Sequence, residues 1–378
     1  MPVVNPSLTP SGFAFTRNPI FYRDGAPGTI DIECCGKRYS ARMLTPGAVN
    51  LADIVDSLAP DFGDPGARPG IPDAEWLIEL EDSSFLEEYL CTVSNNDGDD
   101  LRRFIPLRGG VPYSTLKGLD AGEDVFTRRF LAGGNFFMTS RTASDTLVIK
   151  ETELYPLCFI QPTPCDIVVD AGSGYTCSAE LPAGIYAFDV EAFRRYMFFD
   201  RHYLPSVLTV CRDNASPCTI VVQEAMSSHE RHRLKFRNRL GAFEVIELTG
   251  QAQLGAGFGT EDTDDTYREY NATFDDFFTR SMRREAQSSL TVNTGPKNAG
   301  EFVLLAELLA SEEVWLLDYN GRDVRVIVSA EDFKRTHRIV SPASVDVTVK
   351  FCEDIEPSML ASPVAAGIFS PQFTDVFN

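Results

Sequence analysis

The stretch that most constrains this chain runs from Asn298 to Val328. Asn298-Ala299-Gly300-Glu301 has the form of a capping box: the Asn side chain takes an orphan amide at a helix start, and Glu301 reaches back to the cap. The helix it opens carries Phe302, Leu305, Ala306 and Leu309 on one face, widened by Val303, Leu304 and Leu308. So broad a stripe predicts a helix pressed deep into a core, with Leu305 and Leu309 on its buried line. Val314-Trp315-Leu316-Leu317 follows, then Asn320-Gly321, then Val324-Arg325-Val326-Ile327-Val328. A type I′ turn needs positive φ at both central residues, so the pattern predicts a hairpin with Asn320 and Gly321 at its tip. None of these residues is chemistry; all of them are architecture.

Upstream, short β-rich runs recur: Gly12–Phe15, Pro19–Tyr22, Thr29–Glu33, Arg38–Leu44, Trp76–Leu80 and Glu88–Val93. Asp24-Gly25, Cys35-Gly36 and Asn95-Asn96-Asp97-Gly98 punctuate them, and Gly63–Pro72 is a Pro/Gly loop. Strands at this spacing imply a β-sandwich or barrel. The set is echoed later. Pro19-Ile20-Phe21-Tyr22 has its counterpart in Pro156-Leu157-Cys158-Phe159. Tyr39-Ser40-Ala41 and Pro46-Gly47-Ala48-Val49 answer to Tyr175-Thr176-Cys177 and Pro182-Ala183-Gly184-Ile185 at one shared offset. Two related modules are therefore expected. Between them, Phe126–Leu131, Phe136–Thr139 and Thr146–Ile149 read as strands.

The resulting division is an arm at 1–11, a β-sandwich module at 12–105, a connecting β segment at 106–152, a second sandwich at 153–228, an α+β domain with one central helix at 229–355, and an arm at 356–378. The fold class is mainly β. Within the third domain Arg231–Leu248 reads as a hairpin around Asn238-Arg239-Leu240-Gly241, with basic residues on every second position: Arg231, Arg233, Lys235, Arg237 and Arg239. Ser344–Phe351 alternates Val345, Val347, Val349 and Phe351 with polar residues, as a half-buried strand must. The last arm holds Phe369 and Phe373 among scattered prolines, too apolar and too aperiodic to stand alone.

Chemistry is sparse. Gly255-Ala256-Gly257-Phe258-Gly259 lacks phosphate-loop spacing and runs into Glu261-Asp262-Thr263-Asp264-Asp265, so it reads as a flexible loop. His229 and His232 do not have the i, i+4 spacing of a zinc helix. The nine cysteines show no metal-ligand spacing, and reduced, buried thiols are expected. The net charge of −21 argues against a surface that coats nucleic acid. On the basic strand no aromatic interleaves, so cross-strand ion pairs or a complementary subunit interface are its two readings. No apolar run approaches the roughly 20 residues of a membrane span. The start, Met1-Pro2-Val3-Val4, has neither region of a signal peptide, which implies a cytoplasmic origin.

Together, the tandem β-modules, the Asn238–Gly241 hairpin and the Leu304–Trp315 run resemble tail or baseplate-associated structural proteins of phages that infect gut Bacteroidetes. In such proteins a phrase F-x-N-x-x-G-x-x-E precedes a helix, a strand opening S-x-x-V-W, and a closing hairpin. Here these are Phe236–Glu244 and Ser311–Trp315. The resemblance carries over Asn238, Gly241, Trp315 and the Asn320-Gly321 turn, as fold determinants only. It implies a virion tail component, assembled in the host bacterial cytoplasm with copies of itself and other virion proteins. No catalysis, cofactor, metal, membrane or direct nucleic-acid contact is expected of such a protein. Two rivals remain: a carbohydrate- or host-surface-binding module, which a shallow aromatic groove would favour, and a hydrolase, which would need two carboxylates facing each other in a pocket.

Overall fold

The computed structural model describes residues 8–24, 27–45, 47–95, 101–141, 144–213, 215–228, 230–258, 266–281, 286–334 and 343–352. The arm expected at 356–378, with Phe369 and Phe373, lies outside the described residues, as do residues 1–7 and the acidic run 261–265. The chain forms two compact units. The first is Met1–Met226 together with Phe236–Val245 and Val303–Glu307; the second is Ser227–Lys235, Ile246–Phe302 and Leu308–Asn378.

The first unit is built from one module used twice. Its first copy is β1 (Phe13–Phe15), β2 (Phe21–Asp24), β3 (Gly28–Cys34), β4 (Lys37–Met43), β5 (Gly47–Asn50), helix α1 (Ala52–Leu58), β6 (Leu77–Glu81), the short helix α2 (Phe85–Glu88), β7 (Cys91–Asn95) and β8 (Arg102–Leu107). A helical turn, α3 (Tyr113–Lys117), then leads to the second copy. That copy is β9 (Thr146–Lys150), β10 (Leu157–Gln161), β11 (Cys165–Asp170), β12 (Thr176–Leu181), β13 (Gly184–Phe188), α4 (Val190–Arg201), β14 (Val207–Arg212) and β15 (Cys218–Gln223).

The sheets show the duplication directly. One five-stranded sheet has the order β1-β8-β7-β3-β4 and the other β9-β15-β14-β11-β12. Each has a single parallel pair at the same edge, β1 with β8 and β9 with β15. Each faces an antiparallel pair, β2 with β5 and β10 with β13. In both copies a helix follows that pair and buries its first and fourth residues: Ala52 and Val55 in α1, Val190 and Phe193 in α4. The faint repeat in the sequence thus marks equivalent strands. The modules are not sealed from each other, however. β6, inserted between α1 and β7, pairs with β13 and extends the second module's smaller sheet. β9, from the expected connecting segment, closes the second module's larger sheet.

Alternation puts one face of each large sheet into a core: Ile30, Ile32 and Cys34 in β3, and Cys165, Ile167 and Val169 in β11. The second core is the more aromatic, with Trp76, Phe136, Phe137, Phe159, Tyr186, Phe188 and Phe193 in one cluster.

Two expectations fail in the first unit. Phe126–Phe130 is a π-helical turn, not a strand. A strand would place Phe126, Arg128 and Phe130 on one face, whereas the helical course buries both rings, 5.6 Å apart, and leaves Arg128 in water. Phe136–Thr139 joins no ladder, because Phe136 and Phe137 are both fully buried neighbours, which alternation against one core forbids. Helix α4 was not anticipated at all.

The second unit's sheet is mainly antiparallel where its pairing is defined. Its strands are β16 (His232–Arg237), β17 (Phe243–Leu248), β18 (Ala252–Phe258), β21 (Ala286–Asn293), β22 (Val314–Tyr319), β23 (Arg322–Ser329) and β24 (Asp346–Phe351), in the order β17-β16-β22-β23-β24-β21-β18. β19 (Thr266–Asn271) and β20 (Asp276–Ser281) form a two-stranded sheet of their own. Residues 255–258, expected as part of a flexible glycine loop, instead pair along β21, with Gly255 opposite Ser289; sheet partners override the low β-propensity of glycine.

Helix α5 (Ala299–Ala310) opens with the expected capping box: Asn298 Oδ1 accepts from Glu301 N at 3.0 Å and Glu301 Oε2 from Asn298 N at 2.8 Å. Its buried stripe is turned from the expected one. Phe302, Leu304, Leu305 and Leu308 are buried, Leu309 is half-buried, and Val303 and Ala306 are exposed. Asn320 and Gly321 both take positive φ, 53° and 79°, at the tip of β22–β23, as the type I′ reading requires. Val347, Val349 and Phe351 alternate into the core as read. Among the described residues, no helix is long and apolar enough to cross a membrane.

Candidate functional site

The phrase Phe236–Glu244 folds into a turn held by buried polar groups. Asn238 Oδ1 accepts from the amides of Leu240 (2.9 Å) and Ala242 (3.1 Å), closing the turn on itself. Its Nδ2 donates to Met138 O (3.0 Å) and to Glu244 Oε2 (2.8 Å). Gly241 sits at φ +90°, where a Cβ would run into the carbonyl oxygen of Arg108. Only glycine fits both conditions.

Glu244 is buried and fully engaged. It accepts from Thr139 Oγ1 at 2.5 Å and from Ser140 N at 3.1 Å, besides Asn238. Arg141 lies between two buried carboxylates, 2.9 Å from Glu153 and 3.8 Å from Glu244, and donates to Val245 O at 2.7 Å. A carboxylate pair spanned by an arginine is a structural clamp, and a satisfied network of this kind fixes one arrangement of the irregular segment 138–141. Beside it lies a pocket of about 510 Å³ that includes Arg128, Arg129 and Arg239 in its lining. Those guanidinium groups already hold the chain: Arg128 donates to Gly118 O, Arg129 to Thr139 O, and Arg239 to Glu307.

The alternating basic residues do not form a shared basic face. Arg231 pairs with Glu247 at 3.0 Å and Arg233 with Asp318. Lys235 is buried with its ammonium 5.7 Å from the centre of the Trp315 ring, which Arg325 approaches at 6.0 Å. Arg237 stacks over Phe243 at 4.4 Å and donates to the carbonyls of Phe62 and Gly241. Trp315 is thus half-buried between cations, and its Nε1 donates to Glu313 at 3.3 Å. Of the residues singled out in the sequence, Asn238, Arg239 and Gly241 come together in one turn. Lys235 and Trp315 meet elsewhere, and Asn320 and Gly321 occupy a separate turn.

The thiols are all free. Cys158, Cys165 and Cys218 are pushed up to about 12 by burial, so they are inert at neutral pH. Among the described residues no group of three His, Cys, Asp or Glu comes together to hold a metal ion.

The surface feature the sequence did not reveal is the β19–β20 hairpin. Tyr270 stands directly opposite Phe277 and Glu269 opposite Phe278, so the two rings Phe277 and Phe278 lie on opposite faces. Tyr270 and Phe277 pack 5.3 Å apart on one face; Phe274, in the turn, meets Phe278 at 6.1 Å. All four rings are exposed, Phe274 by 72%. A signal for it does lie in the sequence, in the aromatics Tyr270, Phe274 and Phe277 placed around the turn-prone Asn271–Asp275, but the glycine-rich and acidic neighbours mask it.

No family model matches the chain, and no curated protein matches it. A solved structure of a Ca2+-stabilized adhesin, with which an Antarctic bacterium binds ice, aligns over 91% of this chain and 70% of its own at 10% identity, with a TM-score of 0.15. A likeness at that level carries no argument about fold or function.

Proposed function

We propose that this protein is a structural subunit that works by assembly, in the manner of the phage tail and baseplate-associated proteins its sequence resembles. The observation that supports this reading is the β19–β20 hairpin. A two-stranded sheet alone is marginally stable in water, and this one pairs with no other strand among the described residues. It also carries exposed rings on both faces. Packing on one side would cover only half of them. Insertion between or into neighbouring copies covers both, and clustered exposed aromatics are what such contacts are made from. Residues 356–378, with Phe369 and Phe373, supply a second exchanged arm on this reading.

Light scattering on the full chain tests it. The expected result is a closed oligomer. A Phe274→Ser/Phe277→Ser variant and a chain ending at 355 are each expected to give a smaller species with an unchanged circular dichroism spectrum. A full-length chain that stays monomeric at every concentration reached, or a hairpin variant with undiminished mass, would overturn it.

A further inference from the structure

The duplicated module supplies an internal comparison. Helix α1 ends after 7 residues and exposes no aromatic side chain, whereas α4, at the equivalent place, continues for 12. One stripe of α4, Val190, Phe193 and Met197, is buried. A second stripe, Ala192, Arg195, Tyr196 and Phe199, follows the same helical spacing and lines an open groove of about 810 Å³. Tyr196 is 44% exposed and Phe199 76%. The module folds without such rings in its first copy, so the fold does not account for them in the second.

The opposite wall is the 68–75 loop, and it is a built wall. Arg68 donates to the carbonyls of Glu79 and Leu80. Ile71 and Ala74 form a bridge, and Gly70 lies so near the carbonyl of Glu75 that no Cβ would fit. Trp76 then packs edge-on against Phe193 at 5.4 Å, and its carbonyl accepts from Asp189 N at 2.9 Å, tying the wall to the start of α4. Asp189 caps that helix through Ala192 N, and burial raises its carboxyl above the usual range. The groove thus sets two ring faces among the carboxylates of Glu75 and Asp200 and the guanidinium groups of Arg68 and Arg195.

We propose that this groove binds a neutral pyranose unit of a polysaccharide. The C–H face of a pyranose is apolar and flat enough to stack on an exposed ring, while its hydroxyls need charged or polar partners at the ring's edge. Both are present here, in a shallow cleft open to a chain. Protein-interface cores are depleted of charged groups, which this groove is not. The groove's three carboxyl groups against two guanidinium groups, on a chain of net charge −21, disfavour uronates, sialosides and nucleic acids. None of these residues belongs to the β19–β20 hairpin, so the groove and the assembly reading stand or fall separately.

The test is a glycan array of neutral and acidic saccharides probed with the full chain, followed by titration calorimetry with the best neutral oligosaccharide. Phe199→Ala is expected to weaken binding about tenfold or more with an unchanged melting temperature, since that ring is largely exposed. Tyr196→Ala, whose ring also packs 6.5 Å from the buried Phe193 ring, is expected to weaken binding as well, with a small loss of melting temperature. Glu75→Gln, a surface change, is expected to weaken it as well. No binding to any neutral saccharide, a preference for acidic ones, or affinity undiminished from the parent chain's in the ring and Glu75 variants would each overturn the proposal. So would a ring variant that loses self-association while the parent chain binds no sugar.

Discussion

Asn238 and Glu244 face each other across the β16–β17 turn, the amide donating to the carboxylate at 2.8 Å inside the first unit's interior. The contact joins two jobs: Asn238 shapes its own turn, and Glu244 anchors Thr139 and Ser140. Asn238→Ala removes an acceptor from two buried amides and a donor from a buried carboxylate. A loss of about 2–4 kcal/mol is expected from groups left unsatisfied. Asn238→Asp keeps the acceptor but sets a second carboxylate beside Glu244, so at neutral pH it should melt lower than Asn238→Ala. Thermal unfolding of the two variants side by side checks the order. A milder Asp variant would mean that Glu244 is not the group Asn238 serves.

Leu305 is fully buried and Leu309 only half-buried on the same helix. Leu305→Ala should therefore cost about 2–5 kcal/mol, and Leu309→Ala distinctly less. Urea unfolding of both variants reads the difference. Equal losses would contradict the rotation of α5 described above.

Gly321 and Gly241 share a positive φ for different reasons. Around Gly321 nothing lies within 4 Å of an added Cβ, so Gly321→Ala costs only the left-handed backbone, about 1–2 kcal/mol. At Gly241 the Arg108 carbonyl blocks the same atom, so Gly241→Ala adds a backbone clash to the strain and should lower the melting temperature further. Gly321→Val, with a β-branched side chain, falls between them.

The parts of this fold that were legible in the sequence are those encoded within a few residues. The capping box at Asn298–Glu301, the Asn320-Gly321 turn and the alternation of Val347, Val349 and Phe351 each depend on neighbours in the chain. The duplication was legible because Tyr39 and Tyr175 keep the company of the same prolines downstream. What was not legible was set by distant partners. Arg233 and Arg239 look like one basic face in the sequence, but Asp318 and Glu307 claim them separately. Phe126–Leu131 has β-rich composition, and only the surrounding core decides for a π-helical turn. Helix α4 does carry a local signal: Asp189 as N-cap, followed by Val190, Phe193 and Met197 at helical spacing. Tyr196 and Phe199 of the groove lie on the other side of that same pattern.

His232 offers the pH test. It lies in β16, and burial holds its imidazole below the ordinary histidine value, against the opposing pull of Glu230. Its Nε2 is buried and has no hydrogen-bond partner among the described residues. The sign follows from proton counting. Below an unfolded value of about 6.5, the unfolded chain binds a proton that the folded chain does not, so acid favours unfolding. Stability from this group is therefore complete above about pH 6.5 and falls as pH drops toward the lower folded value, at most about 1.4 kcal/mol per pH unit. His232→Gln removes the titration while keeping a polar side chain of similar reach. The difference in melting temperature between the wild type and this variant should be constant above about pH 7 and should shift toward the variant as pH falls below about 6.5. Carboxylates elsewhere titrate in both proteins and cancel in that difference. A constant difference across the whole range would mean that His232 is already solvated in the folded chain, and a shift toward the wild type would mean that an acidic partner holds it protonated.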